Sequence, residues 1–446
     1  LPFAYITASY SFRARGFFRK LNALFFVFPP VLTILCFEIL FGEKGFFPFN
    51  IPYPFLKHGL LLTVFNIPVI VLLVSSWWSR LDYRLETTAL SLGLKPSAVF
   101  FDITLPRLRP AITGSAALVF LRCFSDIAIV NFYAKGSKFI NAGSLMYRLK
   151  ENGNPETAGS LSIFVTLISL FFLVIFCSSF TKLKGSILTR DENRKPLKKP
   201  KSFGSRLLVF IFIILNLAFL LAPAAAVVFK SFYYGGQFYA GAYTNLFSSF
   251  KVWGTGTFLN SLLIAFAAAL ISTFIALRIS SASLYMNFYA CLALLPLAFG
   301  SATLGLGYYR ISEILPSIPG LVYAISAHCA AVLPAAVLII FVSYLGINGN
   351  LKDSARSLGF GAKASFGSID RRLLSRAVTA SFLITFAISL GEYGSSAFLG
   401  TDTISMQINA LIISGEMNTA CALGSILSVL CVVVFLIGAK LLKREK

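Results

Sequence analysis

Long apolar runs, separated by short polar segments, dominate the hydrophobic pattern of this chain. A helix of about 20 residues crosses the hydrocarbon core of a bilayer. Backbone polar groups in lipid must bond within their own segment, so each run is expected to be helical. The pattern therefore predicts an all-α, polytopic transmembrane helical bundle with about ten spans, at 21–41, 57–78, 111–133, 158–180, 206–229, 257–278, 287–307, 320–344, 377–399 and 420–442.

The distribution of charge predicts which side of the membrane each loop faces. The chain has 39 Lys and Arg against 17 Asp and Glu, a formal net charge of +22. Such an excess in a soluble protein would favour nucleic-acid binding, but here the basic residues cluster between alternate spans. The positive-inside rule makes that side cytoplasmic, including the C-terminus. We therefore expect membrane lipid, and not nucleic acid, around this protein.

An internal repeat organises the chain, because residues 87–126 align with residues 353–392 at an offset of 266. Gly93 aligns with Gly359, and Asp126 aligns with Glu392. Chance matches between apolar residues do not explain these pairs. The sequence predicts two parallel copies of one membrane unit, at 1–181 and 206–446, joined by a basic cytoplasmic linker at 182–205 that we expect to be a solvated tether. The first copy has no counterpart of residues 206 to about 270, so we expect an incomplete start and twelve spans in a complete protein.

Each copy carries a cytoplasmic loop with a central glycine, at 86–106 and 353–376. The first reads Glu-Thr-Thr-Ala-Leu-Ser-Leu-Gly and ends in Leu-Pro; the second reads Asp-Ser-Ala-Arg-Ser-Leu-Gly. Both resemble the EAA loop of ABC importer permeases, although Thr87 and Asp353 replace its Glu and the second copy lacks Leu-Pro. The resemblance implies type I importer permease repeats and assigns ATPase coupling to Thr87, Ala89, Gly93, Phe100, Leu105 and Pro106, and to Asp353, Ala355, Gly359, Phe366 and Ile369.

The resemblance extends over nearly the whole chain and is strongest to fused permeases of the thiamine and ferric-iron importer group. It implies a bacterial inner-membrane location, a separate ABC ATPase expected to be a homodimer, and an extracytoplasmic substrate-binding protein. Thiamine or its phosphate esters are the preferred substrates, with ferric iron as the alternative. The chain contains no GxxxxGK[ST] motif, so we expect no ATP hydrolysis, and no cofactor, in this subunit. An ion-coupled secondary transporter would explain the duplication but not the paired loops, and a membrane enzyme lacks clustered catalytic groups.

Ionisable residues inside apolar runs are costly and commonly face a bundle interior or a wet cavity. Asp126 and Glu392 occupy the same repeat position, so a pseudo-two-fold axis would place them equivalently around a pathway. They either attract a cationic substrate and gate the cavity, or support the structure, for instance through an i,i+4 pair between Arg122 and Asp126. His328 is either a hydrogen-bonded core residue or a pathway residue. The predicted pathway or gate set is Arg122, Asp126, His328, Glu392 and Tyr393, with no metal site.

Overall fold

The computed structural model describes residues 1–42, 54–79, 81–124, 126–128, 140–187, 197–234, 237–249, 255–282, 291–345, 357 and 371–442. Helices dominate these segments, and one two-stranded hairpin pairs Tyr233 with Phe238. The helices are α1 Pro2–Ser9, α2 Arg15–Val27, α3 Pro30–Phe41, α4 Pro54–Trp78, α5 Tyr83–Ser91, α6 Pro96–Ala98, α7 Leu105–Phe124, α8 Ala142–Glu151, α9 Pro155–Ile187, α10 Phe203–Asn216, α11 Ala222–Ser231, α12 Gly241–Ser249, α13 Thr255–Ala282, α14 Pro296–Ile314, α15 Gly320–Leu345, α16 Arg371–Leu390, α17 Gly394–Leu399, α18 Ile404–Ser414 and α19 Met417–Leu442. Two π-helical segments, Val99–Thr104 and Leu217–Leu221, continue into α7 and α11.

The prediction of an all-α polytopic bundle is confirmed, but the span count is only partly supported. Six helices in the described residues are long and apolar enough to cross a membrane, or seven if a pair bent by 109° counts as one span. They are His58–Trp78, Pro155–Ser179, Phe203–Ser231, Gly256–Ser280, Gly320–Tyr344 and Met417–Leu441, with Arg15–Phe25 and Pro30–Phe41 as the bent pair. The count of ten stays a prediction.

Two predicted spans are interrupted in the structure. The helix expected over 111–133 ends at Phe124, and the one expected over 377–399 ends at Leu390. After a break of three residues, the second segment resumes as the short helix α17. Apolar composition predicts burial in lipid but does not report such breaks, which become tolerable when protein groups satisfy the freed backbone.

The described helices recur at the offset found in the sequence. α3 and α14 begin at Pro30 and Pro296, and α7 and α16 end at Phe124 and Leu390, so that each pair is 266 residues apart. α4 and α15 carry an internal proline at the same spacing, Pro68 and Pro334. Equivalent helix boundaries in the same chain direction are the pattern of a parallel duplication.

The chain divides into two compact units that do not follow the predicted domain boundaries. The first contains Leu1–Phe26, Thr63–Phe120 and Phe171–Leu221, and the second contains Val27–Leu62, Leu121–Leu170 and Ala222–Lys446. Each unit therefore combines segments of both predicted copies. The repeat boundaries and the linker remain predictions.

Aromatic packing and one amide pair organise the first unit. Phe212 of α10 forms edge contacts with Phe3 and Phe18, at ring-centroid distances of 5.3 and 5.8 Å. The Asn22 side chain donates to the Asn216 side-chain oxygen at 2.8 Å, and both residues are buried. Such a bond between α2 and α10 fixes their register in an apolar environment.

Small residues allow close helix packing in the second unit. α13, α15 and α16 pack against one another, with Ala276 and Ala336 in a shared buried cluster. Gly424 of α19 lies so close to α3 that an added Cβ would lie 2.7 Å from Leu35. A helix interface lined by glycine and alanine lets the backbones approach closely.

Candidate functional site

The first coupling loop, defined here as residues 82–106, begins with a capped helix and ends that helix at a glycine. The Asp82 side chain accepts the Arg84 backbone N–H at 3.0 Å and caps α5. At the other end Gly93 has φ +86°, and the Leu94 N–H donates to the Ala89 carbonyl at 3.1 Å. This is the Schellman arrangement, which favours glycine because a Cβ is strained at positive φ.

The second arm of the loop consists of α6 and the π-helical segment Val99–Thr104, which runs directly into α7 at Leu105 and Pro106. The Thr104 hydroxyl donates to the Glu86 carboxylate at 3.0 Å, so the second arm is bonded to α5. Glu86 is 8% exposed and Thr104 4% exposed. This bond makes the loop one folded element with two connected arms.

One face of the loop is packed and the other is open. Ala89 is buried, and the Phe100 ring stacks on Trp78 at 6.1 Å between centroids. On the open face, Leu92 is 75% exposed and Phe101 62% exposed. The Thr87 hydroxyl donates to the Tyr83 and Arg84 carbonyls of its own helix.

The sequence predicts the second coupling loop over residues 353–376. Its predicted residues Asp353, Ala355, Gly359, Phe366 and Ile369 lie outside the described residues. Their coupling role stays a prediction.

The predicted pathway residues Asp126 and Glu392 lie at matching helix breaks. The Asp126 N–H donates to the Cys123 carbonyl at 3.4 Å, and the Glu392 N–H donates to the Ser389 carbonyl at 3.2 Å. The two bonds are equivalent under the offset of 266. Each acid therefore follows its helix end by two residues instead of lying inside a continuous helix.

Protein groups satisfy the backbone at these breaks. The Glu392 carboxylate accepts the Ser395 N–H at 3.2 Å and so caps the first turn of α17. At the other break the Asn141 side chain donates to the Asp126 carbonyl. Arg122 lies in the last turn of α7, four residues before Asp126. These bonds explain how α7 and α16 can end in an apolar setting.

The two breaks approach each other in the second unit. A Cβ added to Gly394 would lie 3.0 Å from the Ile127 side chain and 2.7 Å from Ser301 Cβ. Ser301 follows Gly300, whose φ of +63° interrupts α14. A Cβ on Gly391 would lie 2.7 Å from Pro29 Cβ. The breaks after α7 and α16 therefore lie close to the kink of α14 and to the start of α3.

His328 links three helices next to the second break. Its Nδ1 lies 2.9 Å from the Ser389 hydroxyl of α16, and its Nε2 lies 3.0 Å from the Ser396 hydroxyl of α17. The ring is buried. Tyr393 is also buried, and its hydroxyl accepts from the Asn409 side chain at 2.9 Å. Both residues bind protein groups and hold the elements around the break.

Sequence reasoning missed several of these partners. Glu86 stands one residue before the position of the motif's Glu, and it bonds to Thr104 across the loop. Ser389, Ser396 and Asn409 carried no signal because isolated polar residues are common in such helices. The spacing of Glu86 from Thr104, 18 residues across a glycine turn, could have indicated a contact between two antiparallel arms.

Residues 1–183 match the family model described as binding-protein-dependent transport system inner membrane component. These residues are a permease domain of that family. The thiamine transport system permease protein ThiP of Brucella suis is 23% identical over 98% of this chain and 82% of its own length. The Fe(3+)-transport system permease protein FbpB 2 of Haemophilus influenzae is 27% identical over 64% of this chain and 52% of its own length. The molybdenum transport system permease protein ModB of Escherichia coli K12 is 27% identical over 38% of this chain and 80% of its own length.

These relatives confirm the predicted resemblance to fused importer permeases near the thiamine and ferric-iron group. The family that residues 1–183 match consists of inner-membrane components of binding-protein-dependent transport systems. This family implies two partners, an ATPase subunit and a substrate-binding protein.

Proposed function

We propose that this permease forms the membrane path of an ATP-driven importer that takes up thiamine or its phosphate esters from a binding protein. The first coupling loop carries the proposal, because its buried face is fixed and its open face presents Leu92 and Phe101 to a partner. The thiamine permease of Brucella suis, similar over almost the whole chain, supports the choice of substrate.

Force from the ATPase would enter through this loop. The π-helical segment Val99–Thr104 continues without a gap into α7, and α7 ends just before Asp126. Displacing the loop would therefore displace the helix that leads to the first break. The second loop would act on α16 and the break at Glu392 in the same way, since a duplicated permease matches a two-fold ATPase dimer.

The paired breaks are proposed as the gate of this path. Irregular backbone at membrane depth occurs where it is enclosed by protein or lines a cavity. Here Ile127 meets Gly394 across the two copies, so a small separation would open that contact. Asp126, Arg122, Glu392, Tyr393 and His328 would hold the two sides in register.

The remaining assignments follow from this role. The ATPase is proposed to be a homodimer that hydrolyses ATP outside this chain, which is proposed to need no cofactor of its own. The C-terminus is proposed to be cytoplasmic, because the basic segments then face the inside. A ferric-iron importer is the second candidate, supported by the relative from Haemophilus influenzae.

The test is reconstitution of the permease in liposomes with its ATPase and binding protein. We expect ATP-dependent uptake of radiolabelled thiamine, and none with an ATPase variant unable to hydrolyse ATP. Uptake of ferric iron in place of thiamine would select the second candidate. Uptake that follows a proton gradient without ATP would refute the importer assignment.

A further inference from the structure

The C-terminal part of the linker is bound to the start of the chain. Lys198 forms a parallel β-bridge with Tyr10. Its N–H donates to the Ser9 carbonyl at 2.9 Å, and its carbonyl accepts the Ser11 N–H at 2.9 Å. The sequence predicts a solvated tether over 182–205, and this portion of it is hydrogen-bonded to the residues between α1 and α2.

The bridge joins two basic runs that are far apart in sequence. No Asp or Glu occurs in residues 1–37 or 193–312. No ion pair with an acid involves the two runs in the part of the chain that the structure describes. The bridge thus gathers eight cations, which we call the bridged basic cluster: Arg13, Arg15, Arg19, Lys20, Lys198, Lys199, Lys201 and Arg206.

This cluster lies where two apolar helices begin. α2 begins at Arg15 and α10 at Phe203, and both belong to candidate membrane spans. Two phenyl rings beside the cations are open, Phe17 at 50% and Phe203 at 83%. Aromatic rings and cations at the start of a span are typical of the membrane interface.

The geometry points to anionic phospholipid headgroups as the ligand of the bridged basic cluster, with the linker held at the membrane surface as a result. Clusters of four to eight Lys and Arg beside a span attract anionic lipids, at roughly 1 kcal/mol for each cation near the surface. Guanidinium and ammonium groups donate well to phosphate oxygens. An acidic protein surface is the less favoured partner, because the phenyl rings and helix starts place the cluster at the lipid boundary.

The test compares purified full-length protein in nanodiscs that contain phosphatidylcholine with or without phosphatidylglycerol, and counts retained lipids by native mass spectrometry. The cluster variant replaces four cations by Gln, at Arg13, Lys198, Lys199 and Lys201. The control variant replaces four cations that lie on four different helices by Gln, at Lys230, Arg278, Arg310 and Lys440. We expect at least a tenfold loss of phosphatidylglycerol preference in the cluster variant and less than a twofold loss in the control, with raised salt weakening the preference of the unsubstituted protein.

A third variant separates the bridge from the charge. Ser11→Pro removes the N–H that donates to Lys198 but keeps all eight cations. Tyr10, at φ −107° and ψ 139°, has the backbone conformation that a following proline requires. We expect this variant to lose part of the preference. Equal losses in the cluster and control variants would show general attraction by basic residues and overturn the proposal. Unchanged lipid retention in the cluster variant would overturn it too, and weakened ATPase association with unchanged lipid would assign the cluster to a protein partner.

Discussion

Removing one hydroxyl should loosen the first coupling loop. Thr104→Val keeps the shape of the side chain but deletes the donor to the Glu86 carboxylate. Both residues are buried, so water replaces the lost bond poorly. A hydrogen bond to a charged group contributes roughly 1.5–3 kcal/mol, and we take about 2 kcal/mol for this one.

That energy limits the effect on docking. We assume that the ATPase binds the loop only when its two arms are bonded to each other. Lowering the stability of that conformation by about 2 kcal/mol then lowers the apparent affinity by at most about thirtyfold. The affinity is measured by titrating labelled ATPase onto permease in nanodiscs, together with the thiamine carried per ATP hydrolysed. We expect weaker binding and fewer substrate molecules per ATP for Thr104→Val.

Two matched variants make the result decisive. Thr104→Ser retains the donor, and Glu86→Gln retains an oxygen that can accept it, so both are expected to stay within about threefold of the unsubstituted protein. Equal loss in Thr104→Ser and Thr104→Val would refute the role of this bond. Unchanged affinity in Thr104→Val would show that the loop does not need it.

Three further substitutions test the helix contacts. Gly394→Ala introduces a Cβ where little space exists, so we expect slower uptake, whereas Gly307→Ala, with no atom within 4 Å of the added Cβ, should leave uptake unchanged. His328→Leu leaves two buried serine hydroxyls without the ring, and we expect a cost of about 2 kcal/mol, seen as a lower melting temperature in detergent; an unchanged temperature would contradict the contact. Asn216→Leu removes the partner of Asn22 and should cost about 1 kcal/mol in the same assay, with little effect on ATPase affinity.

Hydrophobic periodicity could predict the helices but not their interruptions. The equivalence of Asp126 and Glu392 was visible in the sequence, because repeats preserve spacing. The breaks beside them were not, because a break depends on partners such as Ser395 and Asn141, which are remote or unremarkable in sequence. Apolar content alone favours a continuous helix there.

The first coupling loop was also predictable only in part. Gly93 was predictable, since a glycine after a short amphipathic helix indicates a left-handed cap. The pairing of Glu86 with Thr104 depends on how the second arm folds back, which the motif does not encode. The interleaved compact units were also unpredictable, because repeat boundaries report duplication and not which helices pack together.

Glu392 allows a direct choice between charge and capping. Its carboxylate accepts the Ser395 N–H at 3.2 Å at the start of α17. Gln offers the same acceptor without the charge, whereas Ala offers neither. If capping holds the break together, Glu392→Gln should retain most thiamine uptake, and Glu392→Ala should lose it together with about 1 kcal/mol of stability. If the carboxylate instead attracts a cationic substrate, both variants should lose uptake equally while Glu392→Gln keeps its melting temperature. The fixed contact with Ser395 favours the first result, and equal loss in the two variants would refute it.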